Sequence, residues 1–438
     1  MLHDAFHDSV TGLRNRALFL DRTSQALGRY RRNAWSPFAV LLLDVDRFKY
    51  INDTLGHAAG DQVLKGLGER ISRSVRAGDT VARFGGDEFA VLIENVADVA
   101  EATRTAGRIL QEIALPFEVG GEELFLSASI GITIAAPEYH DPEQLVRDAD
   151  VAMYRAKSEG KARYEMFDPQ MRAEAVARME LERDLRRAID RRELCVYYQP
   201  IVDLATMHVR GFEALVRWRH SQRGLIPPIQ FISIAEETGL IVEIGEFVIS
   251  EACRQATLLT RNGHAPTMSI NISSRQFSEG NLVAHFRKVL ADTGLHSERL
   301  NLEITESVLM QHASTALATM EELRALGMRI SIDDFGTGYS SLSYLHGFPI
   351  DQLKIDASFV KNSTANRKNR EIVRSIVDLG RNLGMDVVAE GIETAEQLSD
   401  LRMLQCGYGQ GYLFARPMDE QAALLFPPHV IIGPDQDA

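Results

Sequence analysis

Two adjacent carboxylates follow two glycines in the segment RFGGDEFAVLI, residues 83 to 93. Gly85 and Gly86 permit positive φ and let a ligand approach the backbone closely. Asp87 and Glu88 then lie at the tip of a predicted hairpin. Two carboxylates about 4 Å apart repel each other by roughly 1 to 4 kcal/mol, and a bound cation relieves that repulsion. A lone motif of this kind is more often a hydrated turn, so it does not predict a site by itself.

A second pair of acids strengthens the case for a cation. The segment LLLDVDRFKYIND, residues 41 to 53, is an apolar strand that ends in Asp44 and Asp46. The two-residue period of a strand puts both acids on one face. A strand-borne acid beside a hairpin acid is typical of palm-like sites that hold Mg²⁺ against nucleotide phosphates. We therefore expect a metal-dependent nucleotide site in the first part of the chain.

A third group of polar residues recurs at the ends of predicted strands in the second half of the chain. About eight strand-like runs alternate with helical segments over roughly 250 residues, which is typical of a (β/α)8 barrel. Such barrels carry their chemistry at the carboxyl ends of the strands. The residues predicted there are Glu213, Asn271, Glu303, Asp333, Asp334, Lys354 and Glu390, with Gln410 just before the last predicted strand, YLFA.

The acids of this rim would repel one another and raise each other's pKa in the absence of a cation. Two divalent metal ions bridged by Asp333 would neutralise them. A two-metal site clamps the attacking and leaving oxygens of a phosphodiester and activates water near neutral pH. Each short motif is ordinary alone, so the prediction depends on the whole rim.

A change in composition divides the chain. Residues 1 to 168 mix strands and helices in no strict order. Residues 169 to 192 are predicted to form a charged linker helix, in which leucine or isoleucine recurs every four residues. Residues 193 to 430 contain the predicted barrel. We expect two domains, an α+β palm-like domain followed by an α/β barrel.

The overall composition excludes several classes of protein. The net charge of −13 disfavours nonspecific binding to nucleic acid. The three cysteines have no zinc spacing, and an odd thiol favours a reducing compartment. No apolar run reaches membrane-span length, and no signal-peptide pattern is present. We expect a cytoplasmic protein, or the cytoplasmic part of an inner-membrane protein whose sensor domain or membrane anchor precedes this chain.

Residues 1 to 168 resemble the GGDEF-type diguanylate cyclases in the segments HDSVTGLRNR, DVDRFKYINDTLGHAAGD, RFGGDEF and AMYRAKSEGK. The resemblance implies a nucleotidyl-cyclase palm-like fold that condenses two GTP into cyclic di-GMP, with two such domains facing each other in a homodimer. It implies that Asp44, Asp87 and the carbonyl of Val45 bind Mg²⁺ or Mn²⁺, and that Glu88 is a metal ligand or a base. The implied nucleotide contacts are Asn52 and Asp61 with guanine, and Lys49, Lys157 and Lys161 with phosphates.

Two further features of this half follow from the same resemblance. RAGD, residues 76 to 79, resembles the site of product inhibition, in which Arg76 grips the O6/N7 edge of guanine and Asp79 accepts from its N–H edge. Lys161 and Ala162 depart from the family, which usually has Arg and Asn at these positions. Lys lacks the planar bidentate geometry of Arg, so we expect a weaker phosphate clamp.

Residues from about 175 to 425 resemble the EAL-type phosphodiesterases, which hydrolyse cyclic di-GMP to linear pGpG. The segments EAL, NIS, LEITES, DDFGTGYSSLSYL, KID, AEGIE and QGYLFARP occur in order. The resemblance implies an EAL TIM-like barrel with two Mg²⁺ or Mn²⁺ ions held by Glu213, Asn271, Glu303, Asp333, Asp334 and Glu390. The other implied roles are Lys354 in orienting or deprotonating water, Gln410 in supporting the site, Gln199 and Arg217 in nucleotide contact, and Glu306 in anchoring the loop 334 to 341.

Three functions remain open at this level. The chain could make and hydrolyse cyclic di-GMP, it could only hydrolyse it with the first domain as a GTP-binding regulator, or it could be a noncatalytic receptor. The intact acids of both sites favour catalysis, whereas Lys161 favours a weak cyclase. All of the acids predicted at the strand ends of the barrel are present, which argues against a noncatalytic receptor.

Overall fold

The computed structural model describes residues 5–32, 37–96, 98–261, 266–278, 281–306, 313–336, 347–362 and 366–432. The chain divides into two compact units, Met1–Met179 and Glu180–Ala438. Among the helices in these ranges, none is both long enough and apolar enough to cross a membrane.

The first unit is built on a six-stranded sheet of order β1-β3-β4-β2-β7-β8, beside a separate two-stranded sheet of β5 and β6. The strands are β1 Arg14–Asn15, β2 Ala39–Val45, β3 Thr80–Gly85, β4 Glu88–Ile93, β5 Phe117–Val119, β6 Glu122–Leu124, β7 Ala128–Ile134 and β8 Tyr164–Met166. The helices are α1 Arg16–Arg32, α2 Phe48–Leu55, α3 His57–Arg73, α4 Val99–Ala114 and α5 Pro142–Ser158, followed by α6 Pro169–Asp190.

Strand β2 is apolar throughout because both faces of the sheet are covered. Leu41 and Leu43 belong to one core cluster, while Val40 and Leu42 belong to the other. Alternate residues of a strand point to opposite faces, so one continuous apolar run supplies two cores. Asp44 is the first polar residue of the strand and is only partly covered, although Val45 after it is buried again.

The hairpin predicted around the two glycines is confirmed. Strands β3 and β4 pair antiparallel, with Ala82 opposite Ala90. Gly85 and Gly86 form the turn with φ of 142° and 52°, in the region that favours glycine. The turn therefore presents Asp87 at its tip and starts β4 at Glu88.

The charged helix predicted over residues 169 to 192 is α6, and the division between the two units falls within it. Met171 is buried in the first unit, whereas Leu185 and Ala188 are buried in the core of the second. The four-residue spacing that predicted the helix thus corresponds to the face of α6 whose apolar side chains are turned toward a core.

The second unit contains the predicted eight-stranded barrel. Its strands are β9 Leu194–Asp203, β10 Val209–His220, β12 Thr267–Asn271, β13 Leu300–Thr305, β14 Arg329–Phe335, β15 Gln352–Ile355, β16 Asp386–Ala389 and β17 Tyr408–Gly409, with β11 Gly224–Ile226 as an extra strand on β10. The barrel closes because β9 pairs with both β10 and β17.

The barrel differs from a uniform (β/α)8 barrel in its first strand. Strand β9 runs antiparallel to both of its neighbours, β10 and β17. The other neighbouring strands around the barrel, from the pair of β10 and β12 to the pair of β16 and β17, are parallel. Strands β9 and β10 are joined by a short turn, in which Met207 donates its N–H to the carbonyl of Asp203. A connection this short can join only antiparallel strands.

The prediction of a last strand at YLFA, residues 412 to 415, is wrong. The last strand is β17, and the following residues form a turn in which the amides of Phe414 and Ala415 donate to the carbonyl of Gly411. Leu413 and Phe414 are buried nevertheless. The apolar run therefore reflects burial within a turn, and Gln410 follows the last strand instead of preceding it.

Helices pack around this barrel on a single core. They are α7 Ile232–Thr238, α8 Ile241–Arg261, α9 Ser274–Ser278, α10 Leu282–Thr293, α11 Ala313–Ala325, α12 Ala357–Lys361, α13 Arg367–Leu383, α14 Ala395–Met403 and α15 Glu420–Leu425. Helix α13 shows why they form, since Val373, Ile376, Val377 and Gly380 recur at helical spacing and are its buried residues.

Candidate active sites

The first candidate site lies where β2 meets the hairpin turn. Asp44 and Glu88 are directly opposed in the antiparallel pairing of β2 and β4, so their side chains leave the same face of the sheet. Val45, whose carbonyl is a predicted metal ligand, is the last residue of β2. Lys157 of α5 reaches the pair from outside the sheet, with its Nζ 2.8 Å from Oδ2 of Asp44.

Burial and mutual repulsion favour the protonated forms of the acids at this site. Burial raises the pKa of Asp87, and the nearby carboxylate of Asp44 raises it further. Burial also raises the pKa of Glu88, together with the charges of Asp150 and Asp44. Lys157 opposes both shifts. A cluster of acids that one lysine only partly compensates fits a divalent cation.

Asp150 was missed by sequence reasoning. It lies on α5, where partial removal from water and the charge of Asp44 raise its pKa, against the opposing charge of Lys157. A signal was present in the segment DADVAMYRAK, because Asp150 and Lys157 are seven residues apart and therefore share one face of the helix.

Arg83 holds the backbone of the glycine turn. Its Nε and Nη2 donate to the carbonyl oxygen of Gly86 at 3.0 and 2.6 Å. Its Nη1 donates to both carboxylate oxygens of Asp8. Asp8 also accepts from the amide and hydroxyl of Thr11 at 2.8 and 2.7 Å. The segment of residues 8 to 11 thus fixes the turn that carries Asp87.

The predicted guanine contacts lie on two helices joined at a glycine elbow. Asn52 is on α2 and Asp61 on α3, and Gly56 between them has a φ of 82°. A Cβ on Gly60 would lie 2.0 Å from Oδ1 of Asn52, so only glycine leaves room for that amide. The predicted phosphate contact Lys49 is exposed on α2.

The predicted inhibitory pair is engaged within the protein. Both carboxylate oxygens of Asp79 accept backbone amides, from Arg76 at 2.9 Å and from Glu94 at 3.2 Å. The side chain of Arg76 pairs with Glu101, Nη2 to Oε1, at 2.5 Å. The side chain of Arg76 is otherwise largely exposed, and its contact with a guanine edge is still a prediction.

The second candidate site lies inside the mouth of the barrel, around Lys354 of β15. Its Nζ lies 2.6 Å from Oε2 of Glu303, 2.6 Å from Oε1 of Glu390, 3.2 Å from Oδ1 of Asp333 and 3.8 Å from Oε1 of Glu213. The side chain of Lys354 is only 1% exposed. The structure therefore brings together four of the predicted acids around one ammonium group.

Burial and mutual repulsion shift the protonation of this cluster. Burial raises the pKa of Glu303 well above its ordinary value, and the charges of Glu213 and Asp333 add to the effect, against the opposing charge of Lys354. Burial opposes the charge of Lys354, but the surrounding carboxylates raise its pKa. Burial, followed by the neighbouring Asp333, raises the pKa of Asp334 to about 6.

The oxygen atoms at this mouth fit hard divalent cations. One carboxylate oxygen each from Asp333, Asp334 and Glu390 lies within 4.8 Å of the others. The second oxygen of Glu303, Oε1, is buried and accepts no hydrogen bond from any residue that the structure describes. Asp334 has a φ of 53°, a left-handed conformation that aspartate tolerates better than most residues. Carboxylates in excess of the local cation, with an unused oxygen, are suited to Mg²⁺ or Mn²⁺.

Amide side chains orient Glu213. Its Oε1 accepts from Nδ2 of Asn271 at 2.6 Å, and its Oε2 accepts from Nε2 of Gln410 at 2.6 Å. Gln410 also donates to Oε1 of Gln199 at 2.9 Å, and Gln199 donates to the carbonyl of Ala415 at 3.0 Å. These contacts keep the carboxylate of Glu213 in one orientation inside the barrel.

A cavity of about 360 Å³ opens above these acids. Its lining includes Glu213, Asp333, Glu390 and Tyr412. Tyr412, which sequence reasoning did not single out, is 51% exposed, and the guanidinium of Arg416 lies 4.4 Å from the centre of its ring. The signal was an aromatic residue two positions after Gln410 in the QGYLF segment.

The other predicted residues of this half have separate surroundings. Arg217 is half-buried on β10, where its Nη1 donates to the carbonyl of Val216 and its guanidinium lies 5.8 Å from the ring centre of Tyr197. Glu306 is half-buried just after β13. The loop that it is predicted to anchor extends into residues 337–346, which lie outside the described residues.

Comparison with known proteins identifies the family. Residues 182–417 match the EAL domain and residues 5–163 match the diguanylate cyclase, GGDEF domain. The chain belongs to the EAL family and has the tandem GGDEF–EAL architecture, as the motifs predicted.

Individual relatives match along nearly the whole of this chain. The chain is 44% identical over 421 residues to the bifunctional diguanylate cyclase/cyclic di-GMP phosphodiesterase MucR of Pseudomonas aeruginosa, covering 96% of this chain and 61% of that protein. It is 40% identical over 415 residues to the cyclic di-GMP phosphodiesterase NbdA of the same organism, covering 94% and 53%. The chain thus spans between half and two thirds of the length of these relatives.

A solved structure extends the comparison to the barrel. The PaMucR phosphodiesterase in complex with c-di-GMP is similar with a TM-score of 0.55 and 46% identity. The similarity covers 56% of this chain and 99% of that structure.

Proposed function

We propose that the second unit hydrolyses cyclic di-GMP to linear pGpG. The single observation that carries this proposal is the cluster of Glu213, Glu303, Asp333 and Glu390 around the buried ammonium of Lys354, beside Asp334. Five acids and one base at the end of a barrel exceed what fold stability requires, because buried like charges are costly without a cation. The similarity to a phosphodiesterase that binds c-di-GMP supports the same choice of substrate.

The proposed metal ligands are Glu213, Asn271, Glu303, Asp333, Asp334 and Glu390. Two Mg²⁺ or Mn²⁺ ions bound there supply an activated water and neutralise the charge on the phosphodiester. Lys354 holds a proton under the influence of the carboxylates and donates hydrogen bonds, so its role is to orient the attacking water. Gln410 and Asn271 keep Glu213 aligned through contacts of 2.6 Å each.

The cavity above the acids is the proposed place of the dinucleotide. Gln199 and Arg217 offer polar contacts to it, and Arg217 is already partly removed from water. The exposed ring of Tyr412 offers a flat apolar surface on which a base stacks. A cavity that combines an aromatic face, an amide and a group of acids suits a nucleotide joined to a metal-bound phosphate.

The test of this proposal is pGpG release from cyclic di-GMP by the full chain, followed by chromatography. Hydrolysis is expected with Mg²⁺ or Mn²⁺. Little is expected with Ca²⁺ alone, because the larger ion is a poorer activator of water. Binding of cyclic di-GMP without hydrolysis in either Mg²⁺ or Mn²⁺ would instead support a noncatalytic receptor.

We also propose that the first unit binds GTP with Mg²⁺ and condenses two GTP molecules into cyclic di-GMP when two copies of the unit meet in a homodimer. The opposed acids Asp44 and Glu88, the raised pKa of Asp87 and the approach of Lys157 support a site for a metal-bound triphosphate. The match to the diguanylate cyclase domain supports the reaction.

One observation favours a second candidate function for the first unit. Lys161, rather than the arginine usual in the family, stands at the predicted phosphate clamp, so the unit could bind GTP as a regulator of hydrolysis. Asp87→Ala distinguishes the two. If the unit is only a regulator, no dinucleotide forms from GTP in the wild-type chain, and the substitution removes GTP activation but leaves basal hydrolysis intact. If it is a cyclase, the substitution abolishes formation of cyclic di-GMP.

A further inference from the structure

Asp46, the second acid of the DVD segment, has no assigned role, and its carboxylate is fully engaged. Its Oδ2 accepts from the hydroxyl of Ser127 at 2.7 Å and from the backbone amide of Ala162 at 3.1 Å. Its Oδ1 accepts from the hydroxyl of Ser129 at 2.8 Å. The residue is 9% exposed. A carboxylate surrounded by donors is already satisfied, so Asp46 fits a structural contact better than a metal ligand.

The turn that Asp46 contacts has an unusual backbone. Gly160, Lys161 and Ala162 have φ of 117°, 63° and 52°, so two consecutive non-glycine residues lie in the left-handed region. That conformation is costly for residues with a Cβ and persists when surrounding contacts fix it. The amide of Lys161 donates to the carbonyl of Ala156 at the end of α5. The carboxylate of Asp46 accepts from the amide of Ala162 within the turn, and the amide of Ile130 in β7 donates to the carbonyl of Arg163 just beyond it.

The two acids of the DVD segment therefore contact the two ends of one short stretch. Asp44 pairs with Lys157 in the last turn of α5, and Asp46 holds Ala162 just beyond Lys161. Asp44 is a proposed metal ligand, and both lysines are proposed phosphate contacts. The segment would thereby hold Lys157 and the turn of Lys161 near a metal ion bound by Asp44.

We propose that Asp46 is a positioning residue for the phosphates of a nucleoside triphosphate. Its carboxylate fixes the turn of residues 160 to 162. This places Lys161 beside Lys157, so that both side chains reach the β- and γ-phosphates. This inference rests on the proposed GTP site of the first unit. Asp46 itself contacts no nucleotide, and its effect passes through Lys161.

The first test compares GTP with GMP by calorimetric titration of the full chain in Mg²⁺. Asp46→Asn keeps the shape of the side chain but replaces one acceptor oxygen with an N–H₂ group. GTP affinity is expected to fall about tenfold, while GMP affinity stays within about twofold. Asp21→Asn is the matched control, because it removes a charge from an exposed position on α1. Ser127→Ala, which deletes one donor only, is the milder variant if Asp46→Asn unfolds.

A double-mutant cycle with Lys161→Ala then tests the route of the effect. If Asp46 acts through Lys161, the double variant loses no more GTP affinity than Lys161→Ala alone. Fully additive losses, or an equal loss for GMP and GTP, would overturn the positioning role. Wild-type chain that binds neither nucleotide would overturn the proposed GTP site together with this inference, whereas GTP binding unchanged by Asp46→Asn would overturn this inference alone.

Discussion

The guanidinium of Arg83 donates from Nη1 to both carboxylate oxygens of Asp8, at 2.9 and 3.1 Å, although 75 residues separate the two along the chain. The side chain of Arg83 is 9% exposed. Because Arg83 also holds the carbonyl of Gly86, this ion pair connects the segment of residues 8 to 11 to the glycine turn of the proposed cyclase site. The pair thereby stabilises the backbone that presents Asp87.

Asp8→Asn should loosen the glycine turn without unfolding the sheet. Loss of a partly buried charge-assisted contact costs about 1 to 3 kcal/mol. If a cost near the lower end of that range is added in full to the activation free energy, the rate falls about tenfold. We expect GTP conversion, or GTP activation of hydrolysis, to fall by about that factor, as measured by chromatography. Basal hydrolysis of cyclic di-GMP should be unchanged, and a parallel loss of both activities would indicate general unfolding instead.

Lys354→Met should separate catalysis from metal binding in the barrel. The substitution removes the ammonium that lies 2.6 to 3.8 Å from four carboxylates. Hydrolysis should fall about 100-fold, because misplacing a reacting group by about 1 Å costs a factor of this size. The exposed Lys368→Met, on α13, is the matched control and should keep full activity.

The same variant makes a prediction about stability. In the presence of a chelator, Lys354→Met should unfold at a lower temperature than wild type, since breaking a buried ion pair costs about 3 to 5 kcal/mol. Mg²⁺ or Mn²⁺ should raise its unfolding temperature more than that of wild type, because the cations replace the missing charge. Equal metal-induced shifts in the two proteins would argue against a metal site at these acids.

Gln410→Leu should lower the affinity of the barrel site for its metal ions. The amide of Gln410 donates to Glu213 at 2.6 Å and to Gln199 at 2.9 Å, and leucine keeps its volume but not its donors. Contacts that orient a metal ligand are worth about 10- to 100-fold in metal affinity or activity. The Mn²⁺ concentration for half-maximal hydrolysis should rise by that factor. The exposed Gln222→Leu should leave it unchanged.

Much of the barrel site was predictable because strand period and barrel topology together constrain it. Residues at the ends of parallel strands must meet at one mouth, so Glu303, Asp333 and Lys354 were expected together before any distance was known. The register confirms the reason, since Asn271 pairs with Glu303, and Thr305 with Asp333.

The contacts that escaped prediction depend on tertiary neighbours. The partnership of Asp8 with Arg83 joins distant segments, and no local period reports it. The last barrel strand was misplaced because YLFA is apolar for burial in a turn, while two residues, Tyr408 and Gly409, suffice for the strand. The strand period placed Asp46 on the same face as Asp44, but no local pattern indicated that the hydroxyls of two serines and an amide engage its carboxylate.

Gly60→Ala tests whether α2 and α3 read the base of GTP. The added Cβ would lie 2.0 Å from Oδ1 of Asn52 and 3.3 Å from the ring of Phe48, so the amide must leave its place. GTP affinity should fall about tenfold or more, measured by titration, because the proposed hydrogen bonds of Asn52 with the base are lost. The substituted helix keeps its propensity, since alanine is the better helix former.

Gly28→Ala is the matched control for that loss. Gly28 is also helical, on α1, and a Cβ there has its nearest neighbour 3.8 Å away, at the end of the Arg32 side chain. This substitution should raise the free energy of unfolding by about 0.5 to 1 kcal/mol and leave GTP affinity unchanged. If Gly60→Ala also leaves GTP affinity unchanged while inosine triphosphate and GTP bind alike, the base is not recognised through Asn52, and the proposed placement of guanine between α2 and α3 is wrong.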